Sequence, residues 1–505
     1  MRLVLTQSVL LALGLGLGTC VPASSQLPTA KESVQPGGKS QRTLQHASVT
    51  HGVAAGDITA DSAVIWSRTD REATMHVQII GPVQGPNVRS VPVSVARDFT
   101  GKIIFDGLKP DTAYRYRVWF DDSDASETGE FRTAPVTDSP KAVRLIWGGD
   151  VAGQNVCRDA ERGFPIFEAI NEAQPDLFIG LGDMIYADGV CEDVGRYGNR
   201  QIPGDFQQSA DIETFWAHWK YNREDAGLRA LLARTPYYAI WDDHEVVNDF
   251  GPLHDTRDVA PYRPGESLLP LGLAALLDYN PIREQALTPK RLYRNVRWGQ
   301  HLELFFLDNR QYRDANLAAD SSDRPKTMLG REQTTWLKEK LTGSDATWKI
   351  VVSSVPMSIP TGFPPESGRD GWADFDQDTG FEQELKDILA SLREDGGDNV
   401  VFITTDVHFA EAFRYTPFAE DPEFQIHEFV TGPLNAGLFP NRNFDTDLGT
   451  ESLFFYGPGS AAAVSYDEAL PWMNYGMAEI GSDGSLSLSI HDVEGAPVYR
   501  LDLQP

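Results

Sequence analysis

Two kinds of hydrophobic pattern follow one another along the chain. Between residues 49 and 133, short apolar and β-branched runs are separated by turn clusters such as Gly81-Pro82. The runs span residues 62–66, 74–80, 91–95, 102–105, 114–119 and 130–132. Short, evenly spaced strands with no helical stretch between them are typical of a β-sandwich of fibronectin or immunoglobulin type. We therefore predict a small all-β sandwich domain over residues 48–134, followed by a linker at 135–140.

From residue 141 onward, apolar strand-like runs alternate with segments of helical periodicity. The predicted strands are residues 143–147, 177–181, 237–241, 302–307, 350–352 and 400–404. The predicted helices are residues 164–173, 212–233, 331–341 and 381–394. This alternation predicts an α/β domain over residues 141–505, in which helices cover buried strands.

The N-terminal pattern is that of a targeting segment. Met1-Arg2 precedes an apolar run at residues 3–17 and then small residues, which predicts a secretory signal peptide over residues 1–23. Cleavage is expected after Ala23, or alternatively before Cys20 with lipid attachment to that cysteine. Residues 24–47, rich in Ser, Gln, Pro, Gly and Lys, predict a flexible leader. We expect no transmembrane segment and a secreted protein, periplasmic or extracellular, with a possible lipid anchor at Cys20.

The charge balance excludes some partners. The sequence has 44 Lys and Arg against 73 Asp and Glu, a formal charge of −29. A nucleic-acid-binding surface is not expected, because such surfaces are basic. Three cysteines without a Cys-x-x-Cys pair are too few for a disulfide scaffold or a zinc ribbon. An acidic surface is compatible with hard cations such as Ca²⁺.

Acidic residues and histidines follow four of the predicted strands. They are Asp150, Asp183, Asp243, His244, Asp406 and His408. A single Asp after a strand is a common cap or turn residue. In α/β domains, however, ligands bind at the carboxyl ends of strands. Carboxylates that converge there without cations would repel one another, so we predict a centre of two or three metal ions.

These residues resemble the motifs of known phosphoesterases. Asp150, Gly-Asp183-x-x-Tyr186, Asp243-His-Glu and Asp406-x-His408 are ordered as in metallophosphoesterases. Tyr186 resembles the iron-binding tyrosinate of purple acid phosphatases. More specifically, the sequence resembles the PhoD family of alkaline phosphatases and phosphodiesterases. The segments that carry this resemblance are His51 to Asp57, Trp241 to Asp249, Leu307 to Arg313, Met328 to Gln333 and Asp406 to Ala410.

The resemblance implies a fold and an activity. The fold is the four-layer metallophosphoesterase arrangement, with two mixed sheets flanked by helices and a β-sandwich before them. The activity is metal-dependent hydrolysis of small phosphodiesters and phosphomonoesters by activated water. One alternative on the same fold is phospholipase D-like hydrolysis of phospholipid head groups. An alternative of another class is a surface binding protein with a vestigial metal site.

The resemblance also implies roles for individual residues. A first metal, Fe³⁺, is expected on Asp150, Asp183, Tyr186 and His408, with Asp183 bridging to a second site. A Ca²⁺ side is expected on Asp243, Asn248 and Asp406. His244 is expected either to support the centre from outside or to act as general acid, and a capping or core role is the alternative. Apart from the resemblance, Arg310 and Arg313 follow a predicted strand end, and they are expected either to clamp the substrate phosphate or to form surface ion pairs.

One position departs from the PhoD pattern. The family usually has an iron-binding Cys after the first catalytic strand, whereas this sequence has Gly149-Asp150. Asp150 supplies a carboxylate, as in purple acid phosphatases. Cys157 could replace the thiolate only if its loop folds back. The other expectation is a disulfide between Cys157 and Cys191, because both follow strand ends and the expected compartment is oxidising.

Overall fold

The structure is a computed structural model that describes most of the chain after residue 45. It covers residues 46–505 except for residues 122, 252–264, 286, 289, 363–364, 376, 441–442 and 460–464. The predicted signal peptide, Cys20 and nearly all of the predicted leader lie outside the described residues. Within the described part, no helix is both long enough and apolar enough to cross a membrane.

The described residues form twenty strands, seven α-helices and three short 3-10 helices. Strands β1 to β10 are Val53–Gly56, Ser62–Arg68, Ala73–Ile80, Val88–Val93, Thr100–Asp106, Ala113–Phe120, Ser126–Arg132, Val143–Gly148, Leu177–Gly180 and Tyr237–Ala239. Strands β11 to β20 are Arg294–Trp298, Leu302–Phe306, Trp348–Val352, Val400–Thr404, Ala410–Tyr415, Ile426–Val430, Glu451–Tyr456, Asn474–Ile480, Leu486–Asp492 and Pro497–Leu503. Helices α1 to α7 are Ile166–Ala173, Ile212–Arg223, Ala226–Arg234, Gly265–Tyr279, Gly330–Thr342, Glu382–Asp395 and Tyr466–Ala469. The 3-10 helices are Val95–Arg97, Pro365–Ser367 and Leu470–Trp472.

Two large mixed sheets form the main body of the fold. The first has the strand order β20-β19-β18-β8-β9-β10-β1-β2-β5, and its strands β8, β9 and β10 are parallel. The second has the order β11-β12-β13-β14-β16-β15-β17, with β12, β13, β14 and β16 parallel. Helices cover their outer faces. The predicted fold class is confirmed, since mixed sheets with helices follow a strand-rich N-terminal region.

Alternation along the strands places side chains in separate cores. In β8, Leu145 and Trp147 belong to the core between the sheets, whereas Ile146 faces helices α1 to α4. In β13, Ile350 and Val352 face the same central core, while Val351 packs under α5 and α6. Because successive residues of a strand point to opposite faces, each buried strand supplies two apolar layers.

The N-terminal strands share a sheet with strands of the predicted α/β domain. Strand β1 pairs in parallel with β10, with Gly56 opposite Tyr237, and β2 and β5 continue that sheet. A four-stranded antiparallel sheet, β4-β3-β6-β7, which we call the sandwich sheet, contributes Met75 and Val77 to the central core. The segments before and after the predicted linker therefore share one continuous apolar core.

Some element boundaries differ from the sequence prediction. The predicted helix at 212–233 is two helices, because Asp225 interrupts it and caps α3 by accepting a hydrogen bond from the Leu228 amide at 2.9 Å. The predicted strand at 91–95 ends earlier, at Val93. Ser94 then precedes the 3-10 helix Val95–Arg97. Strands β15 to β20 have no counterpart among the predicted elements.

The predicted disulfide is confirmed. Cys157 and Cys191 are bonded, and their Cα atoms lie 5.8 Å apart. The bridge ties the loop after β8 to the loop after β9, so it joins the two segments that follow Asp150 and Tyr186. Cys157 is therefore not available as a metal ligand.

Removing this disulfide should destabilise the folded protein. The bridge closes a loop with a sequence separation of 34 residues, and a loop of that length corresponds to about 3–4 kcal/mol of unfolding free energy in the chain-entropy model. We expect the Cys157→Ser, Cys191→Ser variant to show this loss in urea titrations followed by circular dichroism. Wild-type protein treated with a reductant is the matched control and should fall to the same midpoint. An unchanged midpoint in both samples would contradict the expectation.

Candidate metal centre

The predicted ligands lie where strands of the two sheets end. Asp150 comes two residues after β8, Asp183 three residues after β9, and Asp406 two residues after β14. Asp242 and Asp243 follow β10 by three and four residues. Because β8, β9 and β10 are parallel, their carboxyl ends share one edge of the first sheet. Asp406 reaches the same place from the second sheet.

Four of these residues have an unusual backbone conformation. The φ angles are 64° for Asp150, 50° for Asp183, 82° for Asp406 and 58° for His408. Non-glycine residues rarely adopt this left-handed region, and they keep it only where the surrounding structure holds them there. The sharp turns after β8, β9 and β14 are therefore maintained by their surroundings, and strain of this kind is concentrated at functional sites.

One glycine allows two of these loops to meet. Gly182 has a φ of 113°, and a Cβ atom added to it would lie 2.7 Å from the Cβ of Asp242. Any larger residue here would push apart the loops that carry Asp183 and Asp242. The two loops can therefore approach each other only because residue 182 is a glycine.

Four carboxylates form the centre of the site. Ligand oxygens of Asp183, Asp242, Asp243 and Asp406, which we call the acid quartet, all lie within 4.8 Å of one another. Burial and neighbouring carboxylates hold the pKa values of Asp183 and Asp406 well above their usual range. Burial also raises the pKa of Asp242, to about 7. Such repulsion among buried acids is relieved when a cation lies between them.

The hydrogen bonds of these acids are incomplete in a way that fits metal ions. Within the part of the chain that the structure describes, five buried oxygens of these acids have no hydrogen-bond partner: Asp150 Oδ1, Asp183 Oδ2, Asp242 Oδ2, Asp243 Oδ1 and Asp406 Oδ2. Buried polar atoms are almost always satisfied by protein or solvent. Ca²⁺ takes six to eight oxygen ligands, largely from carboxylates. The donor set therefore fits hard cations.

A second group of ligands surrounds His408. Its Nε2 lies 2.7 Å from the Tyr186 hydroxyl and 3.5 Å from Asp150 Oδ1. Its Nδ1 donates to the carbonyl oxygen of Gly437. Since a carbonyl can only accept, this bond places the ring proton on Nδ1 and leaves Nε2 as the nitrogen that can bind a metal. Asp150, Tyr186 and His408 are thus brought together as the sequence predicts.

Glu245 connects the two loops that carry Asp183 and Asp242. It accepts hydrogen bonds from the backbone amides of Asp183, Met184 and Asp242 at 3.0, 2.8 and 2.9 Å. Its side chain is fully buried, and burial raises its pKa to about 8. This carboxylate therefore fixes the loop after β9 against the loop after β10.

The sequence of the chain also matches a known protein family. Residues 145–474 match the family described as PhoD-like phosphatase, and residues 33–135 match the N-terminal domain of the same family. The chain belongs to the PhoD-like phosphatase family. It is accordingly a phosphoric ester hydrolase, as the sequence motifs implied.

Relatives of this PhoD-like phosphatase cover most of its length. It is 27% identical over 451 residues to alkaline phosphatase D of Bacillus subtilis strain 168, covering 79% of this chain and 71% of the relative. A solved structure of PhoD has a TM-score of 0.70 at 20% identity, covering 90% of this chain and 89% of the other. A purple acid phosphatase from yellow lupin seeds has a TM-score of 0.57 at 13% identity, covering 90% and 74%. The two structures show that the fold is shared.

Arg310 requires a correction. The sequence predicted a phosphate clamp or a surface ion pair, but the side chain is 0% exposed. Its guanidinium pairs with Asp242 at 2.6 Å and with Asp370 at 2.9 Å. The guanidinium is therefore enclosed by carboxylates of the fold and does not form a surface ion pair. In this PhoD-like phosphatase, Arg310 instead holds Asp242 in the acid quartet, and Ser354 Oγ supports the same oxygen at 2.7 Å.

His244 is positioned by a residue that the sequence prediction missed. Its Nδ1 lies 2.7 Å from Asp188 Oδ1, and Asp188 Oδ2 accepts from the Asn248 amide at 2.8 Å. Burial lowers the pKa of His244, but Asp188 and Asp243 outweigh that effect and raise it to about 10. The ring centroid of His244 lies 4.0 Å from that of Tyr186. The prediction that His244 adjoins the centre agrees with this position.

Other residues of the site are only partly recovered from sequence. Asn248 is half-buried and lies beside Asp188, and its role as a Ca²⁺ ligand stays a prediction. Asp249 and Asp370 gather with Asp243 in a neighbouring acidic group. Asp242 directly precedes a predicted ligand, so its strand-end position was a usable signal. Asp370 lies in a loop without periodic pattern and had none.

Proposed function

We propose that this PhoD-like phosphatase hydrolyses small phosphodiesters and phosphomonoesters with metal ions as cofactors. The observation that carries the proposal is a set of buried carboxylate oxygens that converge on one place and have no hydrogen-bond partner among the described residues. A vestigial site in a surface binding protein would not be expected to keep every carboxylate of this set.

The ligands divide into two sets. The first metal would be held by Asp150, Asp183, Tyr186 and His408. The second would be held by Asp183, Asp242, Asp243, Asn248 and Asp406. The phenolate of Tyr186 favours Fe³⁺ in the first set, and the oxygen-only second set favours Ca²⁺. Ions bound at such a centre neutralise the phosphoryl oxygens and supply a nucleophile at moderate pH.

In this proposal, the proton donor to the leaving group is a side chain of the protein. Asp188 contacts His244 Nδ1, so the Nε2–H of a protonated His244 is directed away from Asp188. The His244 backbone amide donates to Asp183 Oδ1 at 3.1 Å, which fixes the residue against the acid quartet. We assign to His244 the protonation of the departing ester oxygen.

A spectroscopic change tests the iron assignment. If Tyr186 binds Fe³⁺, the purified protein should absorb visible light through phenolate-to-iron charge transfer. Tyr186→Phe should remove the band while the protein stays folded, since the ring is kept. Tyr197→Phe, in the neighbouring loop, is the matched control and should keep the band. A colourless wild-type protein containing stoichiometric iron would reject the tyrosinate assignment.

A substrate comparison tests the activity. Metal-loaded protein should hydrolyse both an aryl phosphomonoester and a bis-aryl phosphodiester. Failure to hydrolyse either ester would refute the proposal. If only phospholipid head groups were released, the phospholipase D-like alternative would replace it.

Secretion is part of the proposal. The Cys157–Cys191 disulfide supports an oxidising compartment, because cytosolic proteins rarely keep such bonds. N-terminal sequencing of the exported protein should find a start after Ala23 or a lipid-modified Cys20. Retention of residues 1–23 in an intracellular protein would contradict it.

A further inference from the structure

The opening of the site is marked by a gradient of exposure. Asp150, Asp183 and Asp243 are almost fully buried, whereas Asp406 and Asn248 are partly exposed. Phe439 is partly exposed as well and borders His408. A substrate phosphate that reaches the acid quartet therefore comes from this side.

Phe439 presents an aromatic ring at this opening. Its ring is stacked on His408, with centroids 4.5 Å apart and planes inclined by 16°. Stacked rings at such distances attract each other beyond simple area burial. The ring therefore lies nearly parallel to the imidazole of His408, at the partly exposed side of the site.

An arginine lies next to the same segment. A Cβ atom added to Gly437 would lie 3.1 Å from Arg196 Nη1, so the guanidinium stands beside the residue that accepts from His408 Nδ1. The loop that carries Arg196 is anchored there, because the Tyr197 hydroxyl accepts from the Leu438 amide at 2.8 Å. Gln154 accepts from the Gly437 amide at 3.1 Å and holds the segment from the other side.

The charge of Arg196 is not balanced by a carboxylate within the described part of the chain. Its side chain is exposed and leans toward the Tyr197 ring, 6.0 Å from its centroid. Among the residues that the structure describes, no carboxylate forms an ion pair with it. Glu192, on the same loop, is directed to Asn155 Nδ2 at 3.4 Å. In a chain with a formal charge of −29, a cation left at the opening can attract a second anionic group.

We propose that Phe439 and Arg196 form a subsite for the organic group of the phosphoester. The subsite favours substrates in which that group carries an aromatic ring and a second negative charge, a combination found in nucleotides. Phe439 stacks on the ring, and Arg196 pairs with the charge. This inference rests on the proposed phosphoesterase function and names its substrate class.

A matched pair of substrates isolates Arg196. We would compare 3-carboxyphenyl phosphate with its methyl ester, which differ in one negative charge. Arg196→Gln should lower the ratio of their kcat/KM values about three- to tenfold relative to wild type, the range expected for a partly exposed charge-assisted contact. Comparing ratios between enzymes cancels the intrinsic reactivity of the esters. Arg200→Gln, an exposed arginine of the same loop, is the control and should keep the wild-type ratio.

A second pair isolates Phe439. We would compare phenyl phosphate with cyclohexyl phosphate, which have similar size but differ in aromaticity. Phe439→Leu should raise KM for the phenyl ester about two- to tenfold relative to the cyclohexyl ester, since stacking is lost while apolar bulk remains. Metal content, measured in parallel, should stay at the wild-type value.

The outcomes separate the subsite from the activity. If metal-loaded wild type hydrolyses none of the four esters, the proposed function is wrong and the subsite is rejected with it. If wild type hydrolyses them but Arg196→Gln and Phe439→Leu keep the wild-type ratios, only the subsite is rejected. A changed ratio in Arg200→Gln equal to that in Arg196→Gln would also reject it, because the effect would then be long-range.

Discussion

Asp183→Asn should lower kcat/KM by at least about 10²–10³, the loss typical of one essential electrostatic contact at a reacting centre. Asp183 belongs to the acid quartet. Its Oδ1 accepts from the His244 amide, and its Oδ2 has no hydrogen-bond partner among the residues that the structure describes. An amide keeps the shape but removes one anionic oxygen. Both metal sites share this residue in our assignment, so the bound metal should fall together with the rate.

The control for this variant is Asp193→Asn, an exposed carboxylate in the loop after β9. It should keep wild-type turnover and metal content, measured by elemental analysis. An Asp183→Asn protein with its metals retained and near wild-type turnover would overturn the two-metal assignment. The shared fold alone would then not support the mechanism.

His244→Ala should have the second-largest effect, and its size should depend on the substrate. General acid catalysis contributes about 10²–10⁴ in rate. The full loss is expected for alkyl esters, whose leaving oxygen needs a proton, and a much smaller loss for nitrophenyl esters. Asp188→Asn should follow the same trend less strongly, because it removes the group that orients His244 Nδ1.

Metal content separates an acid from a ligand. His244→Ala should keep the wild-type metal content, since His244 donates its proton from beside the centre in our assignment. His76→Ala, in the sandwich sheet, is the control and should behave as wild type. Equal losses for alkyl and nitrophenyl esters, or loss of metal, would show that His244 is not the general acid.

Much of the site was predictable because its ligands follow buried strands. Asp150, Asp183 and Asp406 each come two or three residues after a strand whose apolar pattern is continuous. The parallel strands β8 and β9 bring Asp150 and Asp183 to one edge of the first sheet. Asp406 comes from the second sheet, so its approach depends on how the two sheets pack. Tyr186 and His408 follow the same strands, and their predicted ligand roles came from the resemblance to phosphoesterase motifs.

The remainder depends on contacts between distant parts of the chain. Arg310 follows a strand end as the ligands do, yet it turns inward to Asp242 and Asp370, 68 and 60 residues away. Nothing in the local pattern distinguishes that burial from exposure. Asp188 pairs with a histidine 56 residues further along, in a loop without regular periodicity. Such partners become visible only when the fold is known.

The same limit applies to the fold. The short apolar runs at residues 62–66 and 102–105 indicate strands, but they do not show which strands lie beside them. The parallel pair of β1 and β10 joins Gly56 to Tyr237, so the sandwich strands extend the catalytic sheet. Strand pairing between remote segments is decided by tertiary packing and not by the local pattern.

The central claim is that converging carboxylates make this chain a metal-dependent phosphoesterase. Its most direct test is to strip the purified protein with a chelator, confirm the loss by elemental analysis, and follow hydrolysis of an aryl phosphodiester. We expect activity to disappear with the metal and to return when Ca²⁺ is supplied together with iron. Adding chelator-treated buffer alone is the control and should not restore activity. Full activity in protein shown to be free of metal would contradict the account.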